Sequence, residues 1–416
     1  MVKQVTNKLL VTTLWTVYFF ILFAIQFFSN WWILKVSGLH NGETFMDLRG
    51  VLLPLDCYRD IGTSIYDTTS NECGVYIYGS TLAALINFLG ITASQTSFWA
   101  ISFAVIFCLT LGLLSSFFIT QRNTNPIIIC LVLSSPGLLF LIERTNIDLI
   151  MFFLVFAACL LSLKGFNFWA ILLIALATLI KFYTAPLLVA MILIGKSKRI
   201  RLFTIAVCII VLPTIVSDYF KIKDIPQGWF VSFGANFIGQ YVNTFIKKFS
   251  LDLPMIELVF MYILGLTFFV LSMLLVVKFS DFHKDDLDSV IKNEIGKEYS
   301  EKVLLFFGSV FLSAYLFGMS YDYRLIFAAV SGLALMSLTP IGVSQKLIQG
   351  SLIIGLWSTF SFGVQIYSTI TIATSFVLIQ FIGDLALGIF SAFLALKLIQ
   401  LYRNQLFGQL NDQYEY

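Results

Sequence analysis

A chain of 416 residues in which 59% are hydrophobic, with 43 Phe and a mean hydropathy of +0.91, reads as a polytopic membrane protein rather than as soluble domains. The net charge is only +3 and the 26 Lys and Arg are spread along the chain, which excludes the clustered basic face of a nucleic-acid binder. Length here counts helices instead, at about 20 apolar residues per crossing.

Lys3 and Lys8 precede the apolar run 9–28. That run is longer than the core of a signal peptide and no small-x-small cleavage pattern follows it. It is read as an uncleaved first span with a cytoplasmic N-terminus. A polar outer loop follows at 29–74, holding Cys57 and Cys73. In an oxidising compartment the two would pair across roughly 17 residues, worth about 3 kcal/mol by chain entropy; two free thiols are the alternative. Cys108, Cys130, Cys159 and Cys208 sit in apolar runs, where Cys acts as a small hydrophobe.

The stretch 75–91 is punctuated by Gly79, Asn87 and Gly90 and is read as an interfacial or re-entrant helix. With the first span, the apolar runs at 97–120, 126–142, 147–163, 167–181, 183–195, 200–217, 255–277, 303–320, 323–339, 347–367 and 374–398 make about twelve candidate transmembrane helices in an all-α chain. The dense basic cluster Lys196, Lys198, Arg199 and Arg201, with Arg122, Lys164, Lys346 and Arg403, marks the cytoplasmic side and puts both termini there. Lys221, Lys223, Lys247 and Lys248 fall outside, so the bias is imperfect. The charged run 278–302 is read as a solvated cytoplasmic linker with some helix. His40 and His283 stand alone, and no phosphate loop, dinucleotide fingerprint or internal repeat is found.

With that orientation the costly polar groups fall on the outer face. The first loop carries Glu43, Asp47, Arg49, Asp56, Arg59, Asp60, Asp67 and Glu72. The turn "ERTNIDL" brings Glu143, Arg144, Asn146 and Asp148, "LIKFYTAP" brings Lys181, and "MSYDYRLIF" brings Tyr321, Asp322, Tyr323 and Arg324. Each has a plainer reading. Thr145 or Asn146 would cap a helix with Asp148 in its first turn, Arg144 or Lys181 would snorkel to headgroups, and Asp322 would pair with Arg324. Jointly, Arg144, Lys181 and Arg324 suit a lipid-linked phosphate at the membrane boundary. A loop carboxylate suits a general base that deprotonates a sugar hydroxyl.

In order and spacing these segments resemble the GT-C membrane glycosyltransferases, and more closely the polyprenyl-phosphate-mannose-dependent type grouped as glycosyltransferase family 87. Asp47 lies about twenty residues before Tyr66–Asp67, then come "ERxNxDL" (143–149), Lys181–Tyr183 and "YDYRL" (321–325), a likeness spanning about residues 1–340. The family usually has Gly where Thr145 stands and Pro where Thr184 stands, and a "YPP"-like segment is replaced by "YIYGS" (76–80).

The resemblance implies a GT-C-like fold with amphipathic helices in the first outer loop, an N-terminal module at 1–217 and a variable C-terminal module at 218–416. It implies a bacterial inner-membrane enzyme with an extracytoplasmic, inverting active site. The partners would be a polyprenyl-phosphate sugar donor, with a hexose such as mannose, and a glycan or glycolipid acceptor. Asp47 would be the base, and Arg144, Lys181 and Arg324 would hold phosphate. Asn146, Asp148, Tyr321 and Asp322 would order the site or touch sugar. No cofactor is expected and no metal, although Asp47, Asp56 and Asp60 could supply oxygen ligands. The competing readings are a transporter or flippase of a glycolipid or anionic solute, which should carry its charges at the midplane of repeated helices, and a lipid-linked polysaccharide polymerase or ligase.

Overall fold

The computed structural model of the chain describes residues 2–28, 45–62, 65–66, 73, 76–120, 124–195, 197–222, 232–233, 257–279, 294–316, 320–321, 324–358 and 370–414. The described residues are overwhelmingly helical, and helices occur at every apolar run of the sequence. They are α1 (Val2–Phe28), α2 (Met46–Ile61), α3 (Ser80–Phe88), α4 (Thr96–Ile119), α5 (Pro126–Leu133), α6 (Pro136–Arg144), α7 (Asp148–Leu163) and α8 (Asn167–Ile180). The series continues with α9 (Pro186–Ile194), α10 (Lys198–Ile222), α11 (Glu257–Phe279), α12 (Glu294–Leu316), α13 (Leu325–Leu338), α14 (Val343–Ser358) and α15 (Ile370–Tyr414).

The chain is an all-α membrane protein, but the count of about twelve spans is not reached. Among the described residues three helices are long and apolar enough to cross a membrane, Ala93–Ile119, Lys198–Ile222 and Ile379–Gln405. The pair α5–α6 would add a fourth. Other apolar helices, such as Asp148–Leu163 and Asn167–Ile180, are shorter. Turns interrupt two of the runs. Pro136 lacks an N–H and opens α6, so the run read as a single span at 126–142 bends by 44° between two short helices. Lys181 leaves the helix in an extended conformation, and a 3₁₀ turn (Phe182–Thr184) separates it from Pro186 at the start of α9.

Two further expectations are refined. The nine-residue α3 rises only about 14 Å, too little to cross alone. Phe88 is 86% exposed at its end, as suits an interfacial element. Within the charged run 278–302, read as a linker with some helix, Lys278 belongs to α11 and α12 begins at Glu294; residues 280–293 lie outside the described residues.

In the first outer loop α2 is amphipathic. Leu48, Val51, Leu52, Leu55 and Tyr58 recur at helical spacing and are buried. Cys57 of this helix is disulfide-bonded to Cys73, with Cα atoms 5.3 Å apart. At the centre of the bundle, α13 is buried along its whole length. Gly332 permits its close approach to α14, since a Cβ there would lie 2.3 Å from Leu352 Cδ2. One small ladder departs from the all-helical expectation: Ser232–Phe233 pairs antiparallel with Ser320–Tyr321, tying the loop after α10 to the segment before α13.

Chain direction fixes which helix ends lie together. The C-terminal ends of α6 and α8 and the N-terminal ends of α7 and α13 meet at one end of the bundle. At the other end of α7, Lys302 donates to the Ser162 carbonyl oxygen at 3.0 Å, satisfying an acceptor of the last turn.

Candidate active site

The site grows from the break between α6 and α7. Thr145 N–H returns to Ile142 O at 3.0 Å and Asn146 N–H to Leu141 O at 3.2 Å, the pair of bonds that closes a helix around a left-handed residue. That residue is Thr145, at φ 46° and ψ 55°, a conformation glycine adopts without cost. The Gly usual at this position in family 87 therefore has a backbone reason. Thr145→Gly should melt no lower than the natural chain and keep its activity, because about 1 kcal/mol of strain is relieved against one hydroxyl bond to Ile142 O lost. A marked fall in melting temperature would mean that the hydroxyl outweighs the strain.

Asn146 performs both tasks left open by the sequence. Its Oδ1 accepts the Asp148 N–H at 2.9 Å, capping α7, while its Nδ2 donates to Asp47 Oδ2 at 2.7 Å. Asp47 arrives in the first turn of α2, where the helix dipole favours an anion. The start of α2 is set against the end of α6 by Phe45 N–H, which donates to the Glu143 carbonyl at 2.9 Å. Arg144 then donates through Nε (2.8 Å) and Nη2 (2.5 Å) to Asp47 Oδ1, with its guanidinium 5.6 Å from the centre of the Phe140 ring. Glu143, 3% exposed, thus sets the register of the site through its backbone.

A second carboxylate organises the other two cations. Asp148 is fully buried, and its Oδ1 accepts from Lys181 Nζ at 2.7 Å and from the Tyr183 hydroxyl at 2.6 Å. Arg324 Nε lies 3.7 Å from Asp148 Oδ2, and its guanidinium covers the Tyr183 ring at 4.4 Å. Lys181 Nζ also reaches Asn146 Oδ1 at 3.4 Å and stands 5.1 Å from the centre of the Tyr78 ring. Asp47, Arg144, Asn146, Asp148, Lys181 and Arg324 therefore form one continuous network drawn from four separated segments. Asp47 and Asp148 thus gather the three cations Arg144, Lys181 and Arg324. The cations are nearly sequestered, with side chains 10% (Arg144), 11% (Lys181) and 14% (Arg324) exposed, so their attraction for an anion is weakly screened.

Tyr321 lies in the two-residue ladder three positions before Arg324, and Asp322 lies outside the described residues. Asp56 is elsewhere: its Oδ2 accepts the Ala93 N–H at 2.7 Å and its Oδ1 pairs with Arg59 at 3.4 Å. Among the described residues no three His, Cys, Asp or Glu side chains gather as metal ligands. Sequence reasoning missed Tyr183 and Tyr78 as members of the site. Tyr183 stood two residues after Lys181, whereas no local signal pointed to Tyr78.

Apolar helices whose broken ends bury a cluster of cations and carboxylates at one end of the bundle define a membrane protein with a charged site set among apolar helices. The family model described as glycosyltransferase family 87 matches residues 76–281, about half of the chain and the family the motifs resemble. The chain is a membrane glycosyltransferase of that family. The matched region holds Arg144, Asn146, Asp148 and Lys181, while Asp47 and Arg324 lie outside it. No curated protein and no solved structure matches the chain.

Proposed function

We propose that the enzyme transfers a sugar, a hexose such as mannose, from a polyprenyl-phosphate donor to a glycan or glycolipid acceptor at the extracytoplasmic face of the membrane. The observation that carries this reading is the convergence of three nearly sequestered cations, Arg144, Lys181 and Arg324, around Asp47 and Asp148. A sugar phosphodiester bears one negative charge, and the lipid phosphate released gains further charge as the anomeric C–O bond breaks. Fixed cations that strengthen their hold as that charge develops lower the barrier selectively.

In the transfer, the acceptor hydroxyl oxygen attacks the anomeric carbon from the side opposite the phosphate, and the configuration inverts. The electron pair of the breaking C–O bond leaves with the phosphate, and Asp47 takes the hydroxyl proton. Arg144 and Asn146 occupy both Asp47 oxygens without substrate. A phosphate that draws Arg144 away would open Oδ1 to the acceptor hydroxyl. Asp148 holds Lys181 and Arg324 where the phosphate arrives. The sequence shows no internal repeat, which fits a transporter poorly.

The purified chain in vesicles, offered a panel of polyprenyl-phosphate sugars, should transfer one or more of them. Lys181→Ala should weaken binding of polyprenyl monophosphate about tenfold or more, the scale of a lost hydrogen bond between charged groups. Unchanged binding in that variant would remove the phosphate site from this position.

A further inference from the structure

Next to Lys181 the chain passes through Tyr78, Gly79 and Ser80, and each of these residues is pinned by a different partner. The Tyr66 hydroxyl donates to Tyr78 O at 2.8 Å. Gly79 N–H donates to Ile180 O at 3.4 Å, and the Tyr76 hydroxyl donates to Gly79 O at 3.2 Å. Ser80 donates both its backbone N–H (2.8 Å) and its hydroxyl (2.9 Å) to Asp218 Oδ2. Asp218 comes from near the outer end of α10, is 1% exposed, and keeps Lys221 Nζ 3.8 Å from its other oxygen. Burying a carboxylate in a membrane protein is expensive unless it has a task.

The close fit at Gly79 says what is being clamped. A Cβ at this position would lie 2.2 Å from Leu179 O and 3.4 Å from Ile180 O, so the 78–80 segment lies directly on the last residues of α8, immediately before Lys181. The outcome is that the Tyr78 ring stands against the Lys181 ammonium. Without that ring the ammonium has freedom to swing away from the position it holds between Asp148 and Asn146.

We propose that Asp218 is a positioning residue of the transfer site: through Ser80 and Gly79 it holds Tyr78 against Lys181 and so fixes the ammonium that meets the donor phosphate. This rests on the phosphate reading of Lys181 made above. Tyr78 forms one wall of the phosphate position, and Asp218 acts on it from α10 through Ser80.

The test is the affinity of the full-length chain in detergent for a short-chain polyprenyl monophosphate, with thermal unfolding followed in parallel. Tyr78→Leu and Asp218→Ala should each weaken binding about fivefold, the scale of a partly desolvated cation–π contact. Tyr78→Phe keeps the ring face and should bind like the natural chain. Because Asp218 acts through Tyr78, adding Asp218→Ala to Tyr78→Leu should cost nothing further. Losses that multiply, or a folded Asp218→Ala protein that binds normally, would overturn the proposal. Should Asp218→Ala fail to fold, Ser80→Ala, which removes only the hydroxyl bond, is read by the same criteria. Lys181→Ala separates the two ideas: normal binding there sinks the phosphate site and this inference together. Weakened binding there with an unaffected Tyr78→Leu protein sinks the inference alone.

Discussion

Asp47→Asn is expected to reduce sugar transfer by about 10²–10⁴-fold, the contribution of a positioned general base, while lipid-phosphate binding does not weaken. Asn is isosteric and its carbonyl oxygen can still accept from Arg144, so the start of α2 keeps its contact with the end of α6. The substitution removes one negative charge beside Arg144, which favours an anionic ligand. Loss of turnover with retained binding therefore separates a base from a structural prop, and single-turnover transfer alongside binding measures it. Undiminished transfer would remove Asp47 from the chemistry. Asp56 would not simply replace it. Nine positions along α2 turn the helix through 900°, which places Asp56 about 180° from Asp47, where it caps the Ala93 N–H instead.

Asp148→Ala is expected to have the largest effect on stability. The carboxylate is fully buried and receives Lys181 at 2.7 Å, the Tyr183 hydroxyl at 2.6 Å and Arg324 at 3.7 Å. Removing one partner of a buried ion pair leaves the other charge uncompensated and costs about 3–5 kcal/mol. That is a large share of the roughly 5–15 kcal/mol that typically holds a domain together. The variant should unfold at a markedly lower temperature in detergent. Adding Lys181→Met should recover part of the loss, since it removes one stranded cation, and the gain measures the coupling. An Asp148→Ala protein that melts like the natural chain would mean that the two cations do not depend on this carboxylate.

Much of the site is legible one segment at a time. Arg144, Lys181 and Arg324 are conspicuous because a charge beside hydrocarbon has to be compensated. The basic cluster at 196–201 gives only the expectation that they lie on the opposite face, through the bias of basic residues toward the cytoplasm. The amphipathic spacing of Leu48, Val51, Leu52 and Leu55 likewise records which side of α2 is buried. Span counting was the weaker step. Hydropathy averages over a turn, so it cannot separate one long helix from two short ones joined at Pro136, or from a helix that stops at Lys181.

By itself the sequence determined that the chain is a helical membrane protein, because composition and alternation along the chain are local quantities. Only the tertiary structure decided which carboxylate holds which cation. Asp47 closes on Arg144, Asp148 gathers Lys181 and Arg324, and Asp218 reaches Ser80 across 138 positions. Such partnerships depend on distances of a few ångströms between segments remote in the chain. Coulomb energy and hydrogen bonding fall steeply with those distances, and no residue pattern along one segment encodes them.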